Sequence, residues 1–353
     1  MGGSQTVAVC LTNLKQTEDL QVAKAKSKTT GAGSFNGKQP KITIDWLHKK
    51  CKELRNWGKW GAADELGTLN YVTRADVADA AKLIKTGKVI SLALPFDTKG
   101  PAIGLRGRFN PIHLMIATGA EAYSGVQDAA GMRYADDVVI MPLQCGTQWD
   151  ALSHVFYGDH MWNGYDIRLV DGGGAKKNGI EKTKDRMVGR GVFLDVPHAH
   201  GVDHLPDGYA ISAKELEFVA AKQKVEVRRA DFVIVRTGAM GARLKSGNWG
   251  QFAGGESPGL AMDTADWIHD KQIAAVCGDT HAVECRPNPI DKVRQPWHWI
   301  VLPNMGLTVG EYFFLEDLSK DCANDGVYEF FFSSPSLPFT GAVGCPTNPL
   351  AIK

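Results

Sequence analysis

Gln144-Cys145-Gly146-Thr147-Gln148-Trp149-Asp150-Ala151-Leu152-Ser153-His154 gathers two carboxamides, a carboxylate and an imidazole around a Gly-Thr turn. An apolar run, Asp137-Val-Val-Ile-Met-Pro-Leu143, leads straight into it and reads as a buried strand. A buried strand ending in a Gly turn that carries Asp and His is a common frame for a metal or acid–base site.

Outward from this segment, the pattern predicts a mixed α/β chain. Thr43 is an N-cap, with Ile44, Leu47, Cys51 and Leu54 on one helical face. Trp57 to Asn70 reads as a loop, and Thr73 caps a second helix through Ile84, closed by Gly87. Val89–Leu94 reads as a strand and Asp159–Asn178 as a long surface loop. Ser212 with Glu215 forms a capping box for a helix through Gln223. Asp231–Arg236, Ile273–Cys277 and Tyr328–Phe332 read as strands, and Asp263 caps a helix through Lys271. Strands alternate with helices only in the second half, so a strict βα repeat is not expected. Gln16 to Lys38 is polar and poor in large apolar groups. The expected organisation is a flexible arm over residues 1–40 and one α/β domain over 41–353.

Composition excludes several classes. The chain has 353 residues, 44% of them apolar, and a net charge of +1. That balance supports neither a nucleic-acid surface nor a polybasic membrane patch. No apolar run is long enough to span a bilayer, and the N-terminus does not read as a secretory signal. The seven cysteines include no C-x-x-C pair and read as free thiols of a reducing cytoplasm. Gly172-Gly-Gly174 lacks the flanking strand and helix of a dinucleotide fingerprint, and no P-loop is present.

The order of residues resembles the signature of the cyclase-type metal-dependent hydrolases, which include bacterial kynurenine formamidases and isatin hydrolases. That signature is His-x-Gly-Thr-His-x-Asp-x-Pro-x-His. Gly146-Thr147, Asp150 and His154 keep its spacing; Gln144 and Gln148 stand at its first two His, and Leu152 at its Pro. Trp60–Asn70, Gly238, Asp279–Glu284, Trp297-His-Trp299 and Gly310-Glu311 extend the likeness, which runs from Trp57 to the C-terminus. The resemblance implies a mixed-sheet α/β domain and a homodimer or higher homo-oligomer. It also implies an amidohydrolase that opens an amide, lactam, imide or lactone of a small aromatic or cyclic substrate. Carried over by position, Asp150 is a metal ligand and His154 the general acid/base. Gln144, Gln148, His298 and Glu311 fall at the remaining metal-site positions. His298 and Glu311 are spaced slightly wider than in the family pattern, which predicts an extended Pro303–Asn304 loop.

The two glutamines change the donor chemistry. An amide oxygen is a hard, weak ligand that suits Mn²⁺ better than Zn²⁺. Three sites are compatible with them: a weakly held harder metal, a shifted ligand set, or a metal-free site whose glutamines bind substrate. A metal-dependent hydrolase using Mn²⁺ or Zn²⁺ is the first expectation. A metal-independent hydrolase or lyase using His154 and Asp150 and a non-catalytic binding protein are the rivals. Trp149, Phe156, Trp297 and Trp299 crowd the same segments and suit a flat substrate. Asp279, His281 and Glu284 follow a strand end and read equally as site or as solvated loop. His198, His200 and His204 have metal-like spacing but no counterpart in the signature and read as surface histidines. Cys145 and Ser153 lack a nucleophile elbow, which ranks covalent catalysis below attack by water.

Overall fold

A computed structural model describes residues 35–353. The arm expected over residues 1–40 therefore falls almost wholly outside the described residues. Within them, Gly37 O accepts from Ala210 N at 2.8 Å and Gln39 Oε1 from Met262 N at 3.1 Å.

The strands along the chain are β1 (Val89–Ser91), β2 (Ile112–Ala117), β3 (Asp136–Ile140), β4 (Gln148–Asp150), β5 (Val170–Asp171), β6 (Gly174–Ala175), β7 (Val188–Asp195), β8 (Ala210–Ile211), β9 (Phe232–Arg236), β10 (Gly259–Leu260), β11 (Ala275–Gly278), β12 (Thr308–Glu311), β13 (Glu329–Ser333), β14 (Gly344–Pro346) and β15 (Leu350–Ile352). Nine of them form one sheet in the order β1-β15-β13-β7-β9-β11-β12-β4-β14. Its middle, β7-β9-β11-β12, is parallel, and its outer strands are antiparallel. The helices are α1 (Ile44–Glu53), α2 (Arg74–Ala81), α3 (Gly119–Tyr123), α4 (Val196–His200), α5 (Ala213–Gln223), α6 (Ala239–Ser246), α7 (Thr264–Lys271), α8 (Pro296–Ile300) and α9 (Glu316–Asp325).

Side chains alternate across each strand, so the sheet separates two cores. Val192, Val233, Val235, Val276 and Val309 face one side and pack with Leu47, Leu216, Ile268 and Trp297 from the helices. Phe193, Phe232, Ile234 and Cys277 face the other, with Trp149, Phe313, Phe330 and Phe332. The same period puts Gln148 and Asp150 on the side opposite Trp149. Gly310 lets β12 pass close to its neighbours: a Cβ there would meet Cys277 Sγ and the Phe313 ring at 2.9 Å.

Several local expectations are met. Thr43 Oγ1 accepts from Trp46 N, Thr73 and Asp76 form a reciprocal capping box, and Ser212 Oγ accepts from Glu215 N. Others shift. The helix after Thr73 ends at Ala81 rather than Ile84, and the strand from Val89 stops at Ser91. The interval between His298 and Glu311 is not an extended loop. Val301–Met305 forms a π-helical turn after α8, which absorbs an extra residue without leaving the helix.

The largest departure is Asp137–Leu143, expected as a buried strand. Its first part lies in β3, every residue of which is exposed. β3 pairs only with β2 in a two-stranded ribbon outside the main sheet. Leu114, Met115, Ile116, Val139 and Ile140 are all about half exposed or more on it. A run that is apolar at every position reads the same whether its own chain or another surface covers it.

Candidate metal and acid–base site

β4 presents Gln148 and Asp150 side by side on one face, and β12 lies antiparallel beside it with Glu311 opposite Gln148. Thr147, the turn residue before β4, locks this approach. Its hydroxyl donates to Tyr312 O at 2.6 Å and accepts from Leu94 N at 2.9 Å. α8 begins at Pro296, whose fixed φ suits a first helical turn, and carries His298 to the same place. Ligand atoms of Asp150, His298 and Glu311 all lie within 4.8 Å of one another, and all three residues are buried.

The surroundings orient this triad. Glu284 accepts from His298 Nδ1 at 2.5 Å and from the Trp297 backbone N–H at 3.2 Å, which aims Nε2 at the cluster. A carboxylate behind a ligating imidazole is the usual way to fix its tautomer and raise its basicity. His281 Nδ1 lies 3.7 Å from Glu311. Ala282 and Val283 have left-handed φ values of 76° and 57°, uncommon for a residue with a Cβ and an outlier for a β-branched one. That turn places His281 and Glu284 within reach of the same cluster. Gln148 Nε2 donates to Glu311 at 2.8 Å and to Asp150 at 3.4 Å, while its Oε1 has no partner. His154 Nε2 stands 3.8 Å from Asp150 Oδ1 and its side chain is 20% exposed.

Electrostatics follow from this crowding. Two like charges at this spacing repel by about 3–4 kcal/mol at an effective dielectric near 20. Burial, and then the charge of Glu311, hold the Asp150 carboxyl well above the usual carboxylate range. Burial works to raise Glu311 too, but the facing rings of His298 and His281 win and keep it low. Burial opposes charge on His298, yet Glu284 and Glu311 raise it to about 10. Burial and the neighbouring Arg108 push His154 down to about 4, and burial does the same to His281. Both are neutral at neutral pH. The side-chain nitrogens of His281, His298 Nε2 and Gln148 Oε1 are buried without hydrogen-bond partners. Unpartnered polar atoms gathered beside two carboxylates fit a divalent cation, with Asp150, His298 and Glu311 as the residues that would hold it once His298 gives up its proton.

The residues named from sequence divide clearly. Asp150, His154, Gln148, His298 and Glu311 come together. Gln144 stands beside them: it lines a narrow cavity with Cys145, His281, Tyr312, Arg106 and Arg108. Its Nε2 is buried without a partner. Trp149 does not join them. It lies in the far core, where its indole donates to Ser334 O and Oγ. Trp297 is also core, with its indole bonded to Thr264 Oγ1 at 3.0 Å. Trp299 packs edge-on against Tyr157, and Phe156 is 37% exposed. Cys145 is buried and its thiol is pushed up to about 11, which leaves it unreactive. Asp279 is a turn anchor that accepts from Thr237 and Gly238. His200 bonds Glu215, while His198 and His204 lie exposed along a surface cleft. His281 and Glu284 are the residues that sequence reasoning undervalued, and their position after the β11 strand end was the available signal. Arg106 and Arg108 carried no signal at all.

Comparison with known proteins agrees with the fold. A family model described as "Putative cyclase" matches residues 68–285, a span that includes Asp150 and His154 but ends before His298 and Glu311. A solved structure described as a novel cyclase is 41% identical, covers 85% of this chain and 99% of its own, and superposes with a TM-score of 0.79. Isatin hydrolase A from Labrenzia aggregata, bound to benzyl benzoate, is 14% identical, with 75% of this chain and 93% of its own covered and a TM-score of 0.54. Isatin hydrolase A from Ralstonia solanacearum is 14% identical, covers 75% of this chain and 91% of its own, and reaches 0.55. No curated protein matches the chain. From the span of the family match and the identity to the solved cyclase, this chain belongs to the cyclase family.

Proposed function

We propose that the protein is a metal-dependent hydrolase that opens a C–N bond, or a lactone, in a small cyclic or aromatic compound. The observation that carries this reading is the buried Asp150–His298–Glu311 triad with the neutral His154 beside it. Asp150, His298 and Glu311 would hold the cation, which supplies Lewis-acid polarisation of a carbonyl and a more acidic bound water. Glu284 keeps the His298 ring turned toward the site. His154 takes the proton from the attacking water as the C–O bond forms, and gives it to the leaving nitrogen as the C–N bond breaks. Gln144, whose Nε2 is free to donate, faces the cavity where an oxyanion would develop. Two carboxylates and one imidazole make an oxygen-rich donor set, which favours Mn²⁺ over Zn²⁺. Purified protein should carry about one Mn²⁺ or Zn²⁺ per chain by elemental analysis, and it should cleave formanilides or cyclic imides. A protein without either property is not this enzyme.

A second reading rests on Gln148. Its amide N–H groups already reach both carboxylates, as a neutral donor would in a metal-free binding protein. Metal content separates the two readings.

The family resemblance and the apolar β2–β3 ribbon together support a homodimer. Sedimentation at micromolar concentration should give a dimer, and I116D/V139D should shift it to monomer. A wild-type monomer rules the interface out.

A further inference from the structure

Three arginines near the triad, Arg106 exposed and Arg108 and Arg286 partly buried, lack the carboxylate partners that Arg190 and Arg236 have. Arg190 and Arg236 are clamped by Asp231 with Glu329, and by Asp195 with Glu316, respectively. Among the described residues, no carboxylate lies within ion-pair distance of Arg106, Arg108 or Arg286, although Glu311 and Glu284 are close in the fold. Arg106 donates only to Gln295 Oε1 at 3.2 Å. Arg286 donates to Gly255 O, and its Nε is buried without a partner. Arg108, half-buried, has no side-chain partner among the described residues.

Their placement is specific. Arg106 and Arg108 line the cavity that also holds Gln144, His281 and Tyr312. Arg106 and Leu105 also line an adjoining cleft of about 600 Å³, with Arg286 and Arg294 further along it. The loop that carries them is tied shut by Gly104 N to Arg108 O at 2.9 Å. Gly104 and Gly107 take φ values of 86° and 75°, and Arg106 itself sits at 57°. A left-handed arginine between two left-handed glycines fixes where both side chains leave the backbone.

We propose that the substrate carries a carboxylate, held by Arg108 and Arg106 at the narrow cavity they share with His281, whose Nδ1 lies 3.7 Å from Glu311. The proposal rests on the hydrolase reading and names the substrate class of that same site. A guanidinium offers paired N–H donors that match a carboxylate edge to edge. The triad's own acidity does not account for both arginines. Three carboxylates, Asp150, Glu284 and Glu311, stand there, and a divalent cation offsets two of their charges. Two guanidiniums then leave the cavity net positive, as a monoanion requires.

The test compares the three positional isomers of formamidobenzoate with neutral formanilide, using the metal-loaded protein. Wild type should favour at least one formamidobenzoate over formanilide by about 10- to 100-fold in kcat/KM, with the preference carried mainly by KM. In R108Q that ratio should fall toward one, and in R108K it should recover in part. Calorimetric titration with benzoate against benzamide gives a readout without turnover, in which benzoate should bind wild type and weaken by about tenfold or more in R108Q. An unchanged ratio overturns the proposal, even if benzoate binding weakens, because the arginines would then hold only the acid that hydrolysis releases. If neither probe is cleaved, the hydrolase reading fails, and the benzoate titration alone decides whether a carboxylate site exists.

Discussion

His154→Ala will lower kcat by about two to four decades, the usual contribution of a positioned acid–base group. The side chain is partly exposed, touches Asp150 only at 3.8 Å, and belongs to neither core cluster. Its backbone N–H bonds Ala151 O at 2.9 Å, which the substitution leaves in place. The variant should therefore unfold at the wild-type temperature and hold the same amount of metal. Burial and Arg108 keep His154 neutral, so its ring is free to accept a proton. Neither other histidine of the site is free for this role: Glu284 and Glu311 keep His298 charged, and its ring is tied to Glu284. His281 is nearly sealed, its side chain 3% exposed. If the variant keeps more than about a tenth of wild-type activity, the proton travels by another route.

Asp150→Asn will weaken divalent-ion binding by on the order of 100-fold or more, since loss of a direct ligand costs at least as much as loss of its supporting partner. Elemental analysis after dialysis should show the loss directly. The metal-free protein should respond in the opposite sense. Asp150 lies buried against Glu311, so a neutral amide removes a like-charge contact and the Gln148 N–H can still find an acceptor in Glu311. Metal-free Asp150→Asn should unfold no earlier than metal-free wild type. Loss of metal together with unchanged metal-free stability identifies Asp150 as a ligand rather than a structural group. A variant that retains wild-type Mn²⁺ or Zn²⁺ places the ion elsewhere. Gln148→His, which sets an imidazole beside both carboxylates, should then tighten Zn²⁺ in the wild-type background, because imidazole suits zinc better than an amide does.

What the sequence by itself determined is the local part. The caps at Thr43, Thr73 and Ser212 are set by residues within one helical turn and each hydroxyl caps as read, while the Glu215 side chain, expected to close a box with Ser212, bonds His200 and Tyr209 instead. Within Gln144–His154 period two is local too and puts Gln148 and Asp150 on one face, whereas the Gly-Thr turn is held by bonds from Thr147 to Tyr312 and Leu94, far away in the chain. That period also sends Trp149 into the far core, so its misreading as a substrate contact came from proximity in sequence being taken for proximity in space.

The tertiary structure decided everything that depends on register, packing partners or loop path. Glu311 becomes a site residue because β12 pairs with β4 with Glu311 opposite Gln148, a match made by hydrogen bonds between segments far apart in the chain. Glu284 and His281 acquire roles only when the strained turn after β11 meets the start of α8. The Asp137–Leu143 run shows the limit most plainly. Apolarity states that a segment should be covered, and it leaves open by what. Here the chain's own core is closed by other strands, and the ribbon is left with its apolar side chains turned outward. Arg106 and Arg108 are ordinary loop residues in sequence. Their lack of a carboxylate partner exists only once the fold has paired Arg190 and Arg236 and set this loop beside His281.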